Sequence, residues 1–552
     1  MNNRRYNIYF HTHTVSGIII CALLYVMFFA GSFAFFKDDL SAWQKNRSHL
    51  VMPDASRLDF QSAIDTLALK HQMKGRDLEF FLQKDGENAY ISMFASHDTT
   101  IKKKLGKTKS NVKRKRGRRG RGGDDDTDYL AYNLARKRSV DYEAGYDIGE
   151  FLYRLHFFAQ LNVIPLRLGT PFGYLLAGIV SFIFLFALIT GLMLHWDKVV
   201  SNFFTFRPWT KWKTVWTDMH TALGVIGFPF QLLYAITGIV LIANFFLLAP
   251  FTKYRYHGDT PKIYHELGYT DSTQYQYAYQ PLEAPLDLNQ LIERASQKWP
   301  GCTINKIQIK NYGDANMHVI IEAKPAVSAS FTGGGKIIYR VRDHRVRSEV
   351  APTGQVGYVN QVKNAIYHLH FGDFGGRPVR VSYFAMGAIG CLVVISGVLI
   401  WLVARDKNNV MPRKRAFNLW TANIFMAICL SMLPVTAFTM TCLIFMDKPT
   451  QQDVYRLYFY AWLVLSVYFI GRRQLRITNH QTLILSAVFC MAVPAADALK
   501  RGNWFWSTFS AGASDILFVD VLFFCLALVN ITVLLKMSEQ KAKNDHMQKT
   551  FN

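Results

Sequence analysis

Cysteine is scarce in this sequence. Seven occur in 552 residues, six of them inside apolar runs, and only Cys302 lies in an aqueous stretch. That excludes a disulfide framework, and no paired spacing offers a zinc or iron–sulfur site. No G-x-G-x-x-G follows a strand and opens a helix, and no long cytoplasmic segment is present to hold one. A nicotinamide or flavin module of the chain's own is therefore excluded. Acidic residues are also few, 39 against 63 Lys and Arg, for a net charge of +24. Such a balance suits nucleic acid, but much of the excess falls in one run, KKKLGKTKSNVKRKRGRRGRGG at 102–123, followed by DDDTD. With few apolar residues, this run reads as a disordered surface insertion, solvated or touching lipid headgroups, and no nucleic-acid partner is expected.

Apolar sequence is abundant. Half of the residues are hydrophobic, and eight runs, roughly 14–36, 172–195, 221–250, 380–404, 419–446, 455–471, 480–498 and 514–535, carry almost no charge. A bilayer core of about 30 Å needs about 20 helical residues, which most of these runs supply. The first is longer than a signal-peptide core and has no small-residue cleavage site after it, so it is expected to be retained. Short basic loops follow the even-numbered runs: Lys198, Arg207, Lys211 and Lys213; Arg405, Lys407, Arg413, Lys414 and Arg415; Arg472, Arg473 and Arg476; then a lysine-rich tail. Positive short loops stay in the cytoplasm. The sequence thus predicts an α-helical polytopic membrane protein of about eight spans, both termini inside, with 37–171 and 251–379 exported.

The chain divides into 1–36 (first span), 37–171 (first exported segment), 172–250 (second and third spans), 251–379 (second exported segment), 380–404 (fourth span) and 405–552 (a four-span bundle and tail). Both exported segments read as small α+β modules. RLDFQSAIDTLALKHQ at 57–72 has helical periodicity and precedes the strand-like LEFFLQ and AYISMFA. LDLNQLIERASQKW at 286–299 is again helical and precedes TINKIQI, MHVIIEA and KIIYRVR. The order span, module, span then occurs twice, which suggests a duplication.

Histidines and glycines support it. His13 is followed by Gly17 and Gly31, and His220 by Gly224 and Gly238, at the same offsets of four and eighteen. Eighteen residues make five helical turns, so Gly31 and Gly238 share a face with their histidines about 27 Å further on. His11, His13, His195 and His220 lie at the cytoplasmic end of the spans. His156, His368 and His370 precede the second and fourth spans on the outer side. A single such histidine is ordinarily an interface residue beside Trp196, Trp212 and Trp216, but matched histidines on duplicated helices suit b-type haem held between two imidazoles. His13 and His220 form the expected inner pair, with His11 and His195 as rivals. His156 and His370 form the outer pair, with His368 as rival. Gly17 and Gly224 would clear the inner porphyrin, Gly31 and Gly238 the outer one, and Gly191 and Gly397 would let the second and fourth spans pass the inner haem. The competing reason for small residues here is tight helix packing.

FHTHTVSG at 10–17 and TDMHTALG at 217–224 resemble the helix starts of the PepSY-associated transmembrane family, whose pattern is LHRxLG. LITGLMLHW at 188–196 and LHFGDFGG at 369–376 resemble its later stretches. The resemblance covers residues 1–405, and 286–345 looks like a PepSY domain. This chain has Thr14 and Thr221 where the family often has arginine. Some members are inner-membrane ferric-siderophore reductases with two haems. The resemblance therefore implies two haem b groups, a bacterial inner membrane, periplasmic modules and a ferric chelate or siderophore as acceptor. The donor is then a membrane quinol or a separate cytoplasmic reductase. Two other readings stand beside this one: a membrane-anchored PepSY-type binding or regulatory protein, and a carrier of haem or chelate. Asp497, Asp515 and Asp520 lie at or within the last two spans. An intramembrane carboxylate is a functional candidate, while Asp497 and Asp515 also read as solvated interface residues.

Overall fold

The computed structural model describes residues 2–550 apart from 48–54, 70, 83–87, 95–97, 102–127, 141, 144, 166–169, 208–209, 260–261, 264–265, 268–274, 284, 355–356 and 407–409. The basic run at 102–123 lies outside the described residues. Among the described residues, eight helices are long and apolar enough to cross a membrane: Asn3–Ala34, Phe172–Phe204, Trp212–Ile242, Gly376–Arg405, Pro412–Phe445, Gln451–Arg472, Leu475–Arg501 and Ser514–Glu539. These first to eighth spans match the eight apolar runs. The third run is interrupted, because the helix closes at Ile242 and a separate helix covers Asn244–Tyr254.

The first four spans form a closed ring. The first packs on the second and fourth, and the third packs on the same two. Their buried surfaces are aromatic and small, with Phe28, Phe29, Ala30 and Phe33 from the first span against Ala177, Val180 and Phe184 from the second. The other four spans make an appended bundle that touches the ring through the fifth span and through the eighth, where Phe33 stacks on Phe523. The short Lys37–Lys45 helix after the first span docks on the eighth. There Trp43 Nε1 donates to Asp520 Oδ1 (2.8 Å), and Arg501 donates to Asp497 Oδ1 (2.9 Å) and to the Trp43 carbonyl (2.8 Å). Asp497 and Asp515 are buried, at 0% and 6% exposure, rather than solvated. Helix ends converging on one another exclude water from Asp497, and Arg501 replaces it as partner.

The segments 37–171 and 251–379 each form an α+β unit, and the two units join edge to edge. The strands are β1 (Asp77–Leu82), β2 (Asn88–Phe94), β3 (Asp128–Asn133), β4 (Arg138–Val140), β5 (Cys302–Lys310), β6 (His318–Pro325), β7 (Gly335–Arg340) and β8 (Arg345–Val350). They make one antiparallel sheet in the order β4-β3-β2-β1-β5-β6-β7-β8, with β1 and β5 paired at Leu78–Ile309 and Phe80–Ile307. Alternate residues of these strands face a shared core under the helices Phe60–Ala68 and Leu288–Lys298: Leu78, Phe80, Ile91, Ile307, Ile309 and Ile321 meet Ile64, Leu67, Leu291 and Ile292. The two helices are equivalent. Each is capped by an aspartate, Asp59 to Ser62 N and Asp287 to Gln290 N. Asn289 ties them together by accepting from Phe60 N and donating to Asp59.

Candidate functional site

The four-helix ring holds its histidines in two layers, an inner one remote from the sheet and an outer one beside it. In the inner layer His13 of the first span and His220 of the third stand with ring centroids 6.0 Å apart and planes inclined by 68°. In the outer layer His156 and His370 stand 6.2 Å apart and inclined by 42°. His156 caps the C-terminus of the Ile148–Leu155 helix, whose N-cap Asp147 accepts from Glu150 N and from Ser41 and Lys45 of the Lys37–Lys45 helix. His370 lies in the last turn of Tyr358–Phe371, which Asn364 fastens to the sheet by donating to the Thr332 carbonyl (2.9 Å).

Each ring is fixed by a bond at Nδ1. His13 Nδ1 lies 2.8 Å from the Ala187 carbonyl, His220 Nδ1 2.9 Å from that of Val393, and His156 Nδ1 2.7 Å from that of Met27. His370 Nδ1 lies 2.7 Å from Thr237 Oγ1. A carbonyl has no proton to give, so the first three rings donate. Thr237 gives its own proton to the Leu233 carbonyl (2.6 Å), so His370 donates as well. All four imidazoles are therefore Nδ1–H tautomers. No hydrogen bond to any of the four Nε2 atoms is found among the described residues, and each keeps its lone pair for a metal. Outside the spans, burial lowers the His156 pKa, opposed by the Met27 bond. Burial and the neighbouring His156 push His370 down to about 3, so the outer rings stay neutral in ordinary conditions.

The sequence profile of the PepSY-associated TM region matches residues 10–404. The chain belongs to this family. The match includes all four paired histidines and ends before the fifth span. Uncharacterized protein PA4219 of Pseudomonas aeruginosa is 25% identical over 197 residues, covering 34% of this chain and 48% of that protein. The chain spans about half the length of that curated relative.

Within this PepSY-associated core the other histidines stand apart. His11 is exposed and packs on Phe10. His195 accepts at Nδ1 from Asn202 (3.3 Å), which places its proton on Nε2 and makes it the opposite tautomer. His368 donates to Asp373 (2.6 Å) and its ring lies on Phe331, two positions round the helix from His370.

The glycines divide into two classes. A methyl group at Gly17 or Gly224 would meet nothing within 4 Å, so both face open space, in keeping with clearance for a bound molecule. The other four, also expected to clear a porphyrin, stand against the histidine rings themselves. Gly191 and Gly397 are seats for the inner rings, where a Cβ would stand 3.0 Å from His13 Cε1 and 3.1 Å from His220 Cε1. Gly31 seats His156, at 2.6 Å from Nδ1, and Gly238 lies looser, 3.7 Å from Ser181 Oγ and 3.9 Å from His370 Cε1. Helix packing and ligand placement thus use the same small residues.

Sequence reasoning did not single out Ala187, Val393 and Met27, whose contribution is a main-chain carbonyl, nor Thr190, Ser396 and Thr237. Thr190 and Ser396 donate to the Phe186 and Leu392 carbonyls (both 2.7 Å), and their hydroxyl oxygens lie 3.2 and 3.0 Å from the carbonyls that hold His13 and His220. The signal lay in the dipeptides Thr190–Gly191, Thr237–Gly238 and Ser396–Gly397.

These residues fit a haem. No group of three His, Cys, Asp or Glu able to hold a metal ion occurs among the described residues, so each pair offers two nitrogens and no more. A metal held that way must bring its remaining ligands with it, as porphyrin iron does. An imidazole nitrogen binds zinc at about 2.0–2.1 Å and its ring centre lies about 1 Å behind, so two rings on opposite sides of one ion stand about 6 Å apart. Both pairs have this separation.

Proposed function

We propose that this protein is a membrane oxidoreductase that carries electrons through two b-type haems to a ferric chelate, such as a siderophore, on the sheet side of the membrane. The observation that carries the reading is the pair of stacked layers. Each holds two imidazoles about 6 Å apart, with Nδ1 committed and Nε2 free. His13 and His220 would hold one iron, and His156 and His370 the other. Bound haem supplies a reversible one-electron couple at each depth. The chain's own residues orient the rings through their Nδ1 bonds, keep space open at Gly17 and Gly224, and exclude water with the aromatic walls of the ring.

Electrons would enter at the inner end from a membrane quinol or a separate cytoplasmic reductase, and leave beside the sheet. Reduction of ferric to ferrous iron weakens a chelate of hard oxygen ligands. The setting is a bacterial cytoplasmic membrane, with the joined sheet in the periplasm. Purified protein is reduced, mixed anaerobically with a ferric chelate, and followed by visible absorption with a ferrous trap present. Reoxidation of the haem bands with matching ferrous iron is the expected result. Reduced bands that persist in excess chelate would contradict the reading.

A further inference from the structure

Three of the four rings donate to main-chain carbonyls, and His370 donates to a side chain. The duplication makes the departure visible. His220 lies 207 positions after His13, and the same step from Met27, whose carbonyl holds His156, leads to Tyr234. Thr237 intervenes there. It is 4% exposed, its hydroxyl lies 2.6 Å from the Leu233 carbonyl and 3.4 Å from that of Tyr234, and it takes the His370 proton itself. The equivalent position in the first repeat is Ala30, which offers no such group.

An acceptor on Nδ1–H makes the imidazole a more basic ligand, which favours the more highly charged metal. A peptide carbonyl is a stronger acceptor than an alcohol. The inner layer has carbonyls on both rings. The outer layer has one carbonyl and one hydroxyl. We infer that Thr237 is a positioning residue that makes the outer iron easier to reduce than the inner one, so that electrons run downhill toward the sheet. The inference rests on the haem reading above.

The test is a redox titration of the wild-type protein beside Thr237→Val and Thr237→Ser, with His220→Ala used to assign the outer haem. The outer midpoint is expected above the inner one. Valine keeps the shape and removes the acceptor, so the outer midpoint rises further and the inner stays. Serine restores the wild-type value. Loss of the outer haem alone in the valine variant, recovered with serine, equally supports a positioning role. An outer midpoint at or below the inner one in the wild type overturns the inference. So does an outer midpoint that stays or falls with valine, or loss of both haems. A wild-type protein without haem overturns the parent reading and this inference with it.

Discussion

At the scale of single residues, the site depends on where a ring nitrogen finds its acceptor and where a missing side chain makes room. The glycines give a graded test. Gly31→Ala places a methyl group 2.6 Å from His156 Nδ1, whereas Gly238→Ala stays 3.9 Å from His370. The first is expected to displace the ring and lose the outer haem while keeping the inner one, and the second to keep both, as read from haem per chain. Gly17→Ala touches nothing in the protein. It should leave the thermal stability of haem-free protein unchanged and weaken haem retention. Helical phase placed His11 and His13, and likewise His368 and His370, on different faces, because two residues turn a side chain to another face, but it did not choose between them. Their acceptors were not legible, since a main-chain carbonyl has no residue identity. In the sheet domain, Asp59 is held down to about 2 by the bond from Lys137, with Asn289 and Ser62 N assisting against burial. Its folded value is below the ordinary value of about 3.9. The stability it contributes is thus present above about pH 4 and is lost as pH falls toward 2. Hydrogen exchange in Phe60–Ala68 should rise over that window, and Asp59→Asn should flatten the response.

At the scale of elements, the spans were readable because twenty apolar residues have few other uses. The strands β1, β2, β5, β6 and β7 were readable from alternation. β3 and β4 were missed beside the basic run, and β8 because all six of its residues are exposed and give no buried face. The β1–β5 junction was not readable. Alternation tells which side of a strand is buried but not which edge meets which. The contact between the Lys37–Lys45 helix and the appended bundle was likewise hidden, because Trp43 and Asp520 are 477 residues apart. Trp43→Phe removes the donor to a carboxyl that is 1% exposed. A buried acceptor left without its partner costs roughly 1–3 kcal/mol. Thermal unfolding should show that loss with the haem content unchanged. An unaltered melting temperature would mean that the bundle is not held there.

At the scale of the whole molecule, duplication organises the chain. Two spans and a four-stranded unit occur twice, the sheets close on each other through β1 and β5, and the four spans close into a ring that sets two histidine layers between them. The repeat was visible in the His–Gly offsets. Its departure at Thr237 was not, because a threonine in an apolar helix ordinarily bonds to its own turn, as Thr190 does. The appended spans lie outside the matched family region; they join the ring through the fifth and eighth spans, and the Lys37–Lys45 helix through buried polar contacts. The proposed function requires that each layer bind one haem iron between two imidazoles. Its most direct test is the haem-to-protein ratio, with the visible spectrum, of purified wild-type protein and the single variants His13→Ala, His220→Ala, His156→Ala, His370→Ala, His11→Ala, His195→Ala and His368→Ala. A six-coordinate low-spin spectrum with about two haems per chain is expected, falling to about one in each of the first four variants and unchanged in the last three. No haem in the wild type, or the same haem content in all seven variants, would contradict it.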